Sequence, residues 1–188
     1  MAASKPDDKP AVKLTSVALP IKGVRLATAS SGLKYRDRDD LCVIEIAPGS
    51  SVSATFTRNK FCAAPVTIAR RHLAVMPPRY LVINAGNANA GTGAAGEQAA
   101  VQVCEAVAAA GKSAPETVLP FSTGVIGEQL DSATLSACMP ALLSTLEENA
   151  WPQAAAAILT TDTCTKLRSA QCSGGERTFN FTGISKGS

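Results

Sequence analysis

A chain of 188 residues that is 46% hydrophobic and 18% charged carries enough apolar surface for one ordinary domain, or for one half of a larger protein, and is too apolar for a disordered tail. Aromatic residues at 4% and a net charge of only +3, spread thinly, exclude the base-stacking platform and the phosphate-tracking stripe of a nucleic-acid-binding protein. A single histidine and six cysteines without a C-x-x-C pair leave no zinc-ligand spacing, so no metal is expected and the thiols read as buried or incidental.

Residues 1–12 are polar and contain Pro6 and Pro10, which predicts a frayed, disordered N-terminal segment followed by one domain over 13–188. No apolar run follows the first charges and nothing reaches the length of a membrane span, so a cytoplasmic protein with reduced cysteines is expected. The fold is expected to begin near Ile21. Leu41–Ile46 and Val52–Thr57, separated by a Pro-Gly turn, predict a hairpin, and Ala64–Ala69 reads as a further strand. His72 follows Arg70 and Arg71 and is read as a structural residue of a basic surface turn or helix start. Tyr80–Asn84 is a continuous apolar run of the kind buried on both faces of a sheet.

From Glu97 to Ala110 the apolar residues fall at helical spacing, with Gly111 placed to take the left-handed conformation beyond the last turn. Val118–Phe121 predicts a strand. Helices are expected over Ser132–Leu146, interrupted or restarted at Pro140, and over Trp151–Thr160, with Pro152 in the first turn. Leu167–Cys172 and Thr178–Thr182 read as strands joined by a turn at Ser173–Glu176. Helices and strands alternate without a strict βαβ rhythm, which favours a layered α+β fold over a doubly wound sheet.

Four polar segments at element edges are candidates for chemistry. Asn84–Gly93 holds three asparagines and three glycines in ten residues, fit either to present amides to a ligand or to satisfy itself in Asx turns. Within it, Gly91, Gly93 and Gly96 match a dinucleotide fingerprint, but Ala85–Ala90 separate the first glycine from the strand it should follow directly. Ser122–Gly127 sets a hydroxyl beside a glycine N–H at a strand end, either an oxyanion site or a plain turn. Thr160–Thr163 offers hydroxyls to a ligand or to the last carbonyls of a helix, and Lys186-Gly-Ser188 places a lone cation on a glycine-rich stretch. These are donors without a nucleophile, and the chain ends abruptly after a strand, as if cut.

Thr57-Arg-Asn-Lys-Phe-Cys-Ala-Ala-Pro-Val66, Asn84–Gly93, Ser122–Gly127, Thr160–Thr163 and Lys186-Gly-Ser188 stand in the order and at about the spacing of the ornithine acetyltransferases, and from about Val17 onward the chain resembles that family. The resemblance implies the α chain of a precursor that cleaves itself before a threonine just beyond Ser188, with the layered αββα sandwich of N-terminal-nucleophile enzymes. That threonine, on a β chain, would be the nucleophile and its own amine the base. Acetyl would pass from N²-acetylornithine to glutamate in an α2β2 assembly without a cofactor, acetyl-CoA being a possible substrate. Thr123 and Gly124 would form the oxyanion hole, and Thr163 and Lys186 would contact substrate. The chain departs from the family pattern at Ala85, Gly91, Cys164 and Thr165. A hydrolytic N-terminal-nucleophile amidase or aminopeptidase, and a nucleotide-binding module resting on the glycine fingerprint, are the alternative readings.

Overall fold

The computed structural model describes residues 11–174 and 177–187. In chain order the strands are β1 (Ala11–Thr15), β2 (Val24–Ala29), β3 (Leu41–Ile46), β4 (Tyr80–Asn87), β5 (Val118–Val125), β6 (Lys166–Gly174) and β7 (Arg177–Ser185). The helices are α1 (Ala64–Val75), α2 (Gly93–Gly111), α3 (Ser132–Ser144) and α4 (Trp151–Ala157). Four strands make a sheet in the order β2-β3-β4-β5, with β4 and β5 parallel, and three make a second, antiparallel sheet in the order β1-β6-β7.

The apolar run of β3 explains the layering, because its side chains alternate between two cores. Leu41 and Val43 meet Ile68 of α1, Val103 and Val107 of α2, and Leu135 and Met139 of α3 on one side. Cys42 and Ile44 meet Trp151 and Ala154 of α4, and Ile158 just after it, on the other, where Leu167 and Ile184 of the second sheet also pack. The result is the layered α+β arrangement expected from the sequence. Small residues let the helices approach closely: Ala99, Ala100, Cys104 and Ala108 of α2 are all buried.

Several elements differ from expectation for identifiable reasons. The turn after β3 forms, with Gly49 at φ +83° and Ser50 N–H donating to Ala47 O, but Val52–Thr57 is not a strand. Both edges of β3 are already taken, by β2 and β4, so no hairpin partner fits. Ala64–Ala69 opens helix α1 instead of forming a strand; Pro65 sits in its first turn, where the missing N–H has no partner to lose, and Ile68, Ala69 and His72 face the core. His72 is therefore not on a surface turn. It is buried, and its Nδ1 lies 2.8 Å from the Val118 carbonyl, which can only accept, so Nδ1 carries the proton.

Lys112, at φ +52°, is the left-handed residue after α2, not Gly111; at Gly111 a Cβ would stand 2.7 Å from the Tyr80 ring. Helix α3 runs unbroken through Pro140, and α4 stops at Ala157. Strand β1 begins at Ala11, so Ala11 and Val12 pair with Ser173 and Cys172 within the stretch expected to fray, and the fold starts well before Ile21; residues 1–10 lie outside the described residues. Strands β6 and β7 pair as expected but extend further, taking Ser173 and Gly174 into β6, while Gly175 and Glu176 of the expected turn lie outside the described residues. All six cysteines are free. Among the described residues no helix is long and apolar enough to cross a membrane.

Candidate active site

The parallel pairing of β4 with β5 sets Asn84 beside Ser122, Ala85 beside Thr123 and Gly86 beside Gly124. The Ser122 hydroxyl donates to Asn84 Oδ1 at 2.6 Å, and Asn84 Nδ2 donates to the Asn87 carbonyl at 2.9 Å. The register then slips, Asn87 pairing with both Thr123 and Val125, a bulge of the kind that re-aims side chains beside sites. Gly124 has φ +136°, and a Cβ there would stand 2.2 Å from the Gly86 carbonyl carbon, so only glycine permits this approach.

The Asn84–Gly93 loop satisfies itself. Asn87 Nδ2 donates to the carbonyls of Glu128 and Gln129, its Oδ1 accepts from Asn89 N–H at 2.7 Å, and Asn89 Nδ2 donates to Gly96 O at 2.8 Å. Thr92 Oγ1 donates to Asn89 Oδ1 at 2.8 Å. The three asparagines are buried and bonded within the protein, so the loop is a brace that fixes where β5 ends rather than a display of amides to a ligand. The glycine fingerprint has the same origin: a Cβ on Gly96 would lie 1.9 Å from Thr92 Oγ1.

Beside this brace opens a cavity of about 420 Å³ that both Thr123 and Lys186 line, walled by Ile44, Leu81, Ile83, Phe121, Ile158 and Ile184. Thr123 is half-buried, and among the described residues neither its hydroxyl nor the Lys186 ammonium has a hydrogen-bond or ion-pair partner. Two residues from distant parts of the chain thus bring a hydrogen-bond donor and a positive charge to one apolar cavity. Among the described residues no histidine, cysteine or carboxylate lines it. Gly124 follows Thr123 in β5 and is exposed but lies outside the lining.

Thr163 is exposed in the loop after α4 and does not line the cavity either. Its neighbour Asp162 connects that loop to the cavity rim: Oδ1 accepts from Lys166 Nζ at 2.5 Å and from Gly187 N–H at 2.8 Å. The Asp162 side chain is only 1% exposed although its loop lies at the surface. Its carboxyl is held down at about 2, chiefly by the Lys166 hydrogen bond and then by the Gly187 N–H, against a smaller upward push from desolvation. Sequence reasoning missed Asp162 and Lys166; their four-residue spacing is a pairing signal on helices, and here it works across a loop.

The sequence pattern of the ArgJ family matches residues 25–188. The chain belongs to this family. Two curated ArgJ relatives are the arginine biosynthesis bifunctional proteins of Psychrobacter arcticus, 47% identical over 94% of this chain, and Methylococcus capsulatus, 47% identical over all of it. These matches take in 44% and 45% of the relatives, so the chain spans a little under half the length of these ArgJ proteins. Among solved structures, the arginine biosynthesis bifunctional protein of Bacillus halodurans superposes with a TM-score of 0.86 at 31% identity, covering 95% of each chain. The ornithine acetyltransferase of Mycobacterium tuberculosis, solved as a complex with ornithine, superposes at 0.84 with 28% identity over 95% of this chain and 96% of that one. The layered fold is therefore the ArgJ fold.

Proposed function

We propose that this chain is the α subunit of an ornithine acetyltransferase, which moves acetyl from N²-acetylornithine to glutamate through an acetyl-threonine on a β chain from the same precursor. The carrying observation is the single cavity that joins Thr123 to Lys186. The hydroxyls on the cavity wall have no histidine or carboxylate beside them in its described lining to act as base, and an N-terminal threonine supplies both hydroxyl and base. Its amine takes the hydroxyl proton as Oγ attacks the acetyl carbonyl, then gives that proton to the departing ornithine amine. The glutamate amine attacks the acetyl ester in turn, and the threonine leaves as its hydroxyl.

In both halves negative charge develops on the acetyl oxygen, where the Thr123 hydroxyl and the Gly124 N–H donate. Lys186 pairs with the α-carboxylate shared by donor and acceptor, and Thr163 contacts the substrate from the adjoining loop. Membership of the ArgJ family supports this reading, as does a solved relative that carries ornithine. A chain that spans under half of its full-length relatives yet covers 95% of a solved chain supports a two-chain protein, for which we propose an α2β2 assembly in the cytoplasm. No resident cofactor takes part, and acetyl-CoA is a possible second acetyl donor.

Intact-mass analysis of the full-length gene product, followed by incubation with N²-acetylornithine and labelled glutamate, tests the proposal. A second chain beginning with threonine and label in N-acetylglutamate are expected. Release of acetate without label transfer would make the protein a hydrolase, and a single uncut, inactive chain would overturn the subunit assignment.

A further inference from the structure

The β6–β7 ladder ends at the pair Lys166 and Ser185, so Lys186 and Gly187 lie just past the last strand pairing. Two side chains take over where the ladder stops. The Asp162 carboxylate accepts the N–H of the Lys186–Gly187 peptide at 2.8 Å, and Lys166 Nζ donates to the Gly187 carbonyl while pairing with the same Asp162 oxygen at 2.5 Å. Both backbone polar groups of Gly187 are thereby held by one ion pair. Gly187 itself adopts φ +136°, a conformation natural to glycine, and among the described residues nothing crowds the place a Cβ would take, so side-chain packing there does not fix it. The residue immediately before it is Lys186, which lines the same cavity as Thr123.

We infer that Asp162 and Lys166 are positioning residues: they clamp the Gly187 backbone and so hold the Lys186 ammonium at the cavity that Thr123 also lines. A flexible four-carbon cation outside a strand loses rotamer and backbone entropy when it meets a carboxylate, and a clamped backbone removes part of that loss before the ligand arrives. The clamp is charge-assisted on both sides, which makes it stronger than a pair of neutral hydrogen bonds. It also places Thr163 next to the same anchor, since Thr163 directly follows Asp162. The inference rests on Lys186 as the group that binds the substrate carboxylate.

The test uses the full-length precursor with Asp162→Ala, Asp162→Asn, Lys166→Met and Lys166→Arg, reading KM and kcat for N²-acetylornithine and amide hydrogen exchange of the peptide that holds residues 184–187. Asp162→Ala and Lys166→Met are expected to raise KM roughly tenfold while kcat stays within about twofold, because ground-state and transition-state binding of the carboxylate weaken together. Lys166→Arg, which keeps a donor cation, and Asp162→Asn, which keeps an acceptor, are expected to recover part of the loss. Exchange should quicken at Gly187 and stay unchanged in the body of β6 and β7.

An unchanged KM in both removing variants, or unchanged Gly187 exchange in Asp162→Ala, overturns the inference. So does an equal fall in kcat and kcat/KM at constant KM. If Asp162→Ala does not fold, Asp162→Asn and Lys166→Met carry the same comparison. A wild-type protein that transfers no acetyl sinks the functional proposal, whereas Gly187 exchange and calorimetric ornithine binding in the variants still judge the clamp.

Discussion

Thr123 lines the cavity, and its hydroxyl has no hydrogen-bond partner among the described residues, which leaves it free for the oxyanion role proposed above. Thr123→Ala is expected to lower kcat of the mature enzyme by about 10²-fold or more, the usual loss when one oxyanion donor is removed, with little change in melting temperature. Steady-state kinetics on cleaved protein checks this, and an unchanged kcat removes Thr123 from the chemistry. Lys186→Ala is expected to raise KM for both N²-acetylornithine and glutamate roughly tenfold or more, since both share the α-carboxylate. A rise for only one of them would place the cation on a side-chain group instead. At Asp162 the pH dependence has a definite sign. Its carboxyl falls from an ordinary 3.8 to about 2 in the folded chain, so its stabilising contribution is full above 3.8 and is lost as pH falls through about 2. The melting-temperature gap between wild type and Asp162→Asn is therefore expected to be widest above pH ~4 and to close towards pH ~2.

At the scale of elements, the brace between β4, the Asn84–Gly93 loop and α2 decides how accurately β5 presents Thr123. Gly96 is its tightest point, where a Cβ would overlap Thr92 Oγ1 at 1.9 Å and Asn89 Oδ1 at 2.5 Å. Gly96→Ala is expected to destabilise the protein by about 1–3 kcal/mol through overpacking, despite the better helix propensity of alanine. Equilibrium urea unfolding measures this, and a neutral or stabilising result would mean that the loop yields easily. The element-level reading from sequence worked where periodicity was long or the run fully apolar, as in α2, β4 and β7. It failed at Ala64–Ala69, whose β-branched Val66, Thr67 and Ile68 suit a strand but whose partners lie below a helix, and at Val52–Thr57, whose apolar alternation met a β3 already flanked on both edges by β2 and β4. Tertiary competition for edges and cores overrides local preference in both.

For the whole molecule, one face of the three-stranded sheet is left uncovered by the described residues. Val12, Cys172 and Phe179 stand in one cross-strand row and Leu14, Ala170 and Phe181 in the next, with Leu14 76% and Phe181 58% exposed. An apolar face of this extent on a chain that spans under half of its relatives favours association. Expressed on its own, the chain is expected to self-associate at micromolar concentration, and Phe181→Asp to reduce this without loss of helicity. Light scattering and circular dichroism on the two forms check it; a monodisperse wild-type chain would show that the exposed face is harmless.

The sequence by itself determined the layered α+β class, the helical core of small residues, the family and the residues worth testing, because periodicity, composition and spaced motifs are local properties of the chain. The half-protein that length alone allowed is also consistent with what the relatives show. Tertiary structure alone decided which motifs meet. Thr123 and Lys186 share a cavity because β5 and the end of β7 converge on one side of the sheet, whereas Thr163 stays outside and reaches the rim only through Asp162. Tertiary structure also turned the asparagine loop from a candidate ligand cradle into a brace and moved His72 from a surface turn to a buried partner of Val118. The physical reason is the same in each case: hydrogen-bond partners and burial are set by chain segments far apart in sequence, and no local pattern records them.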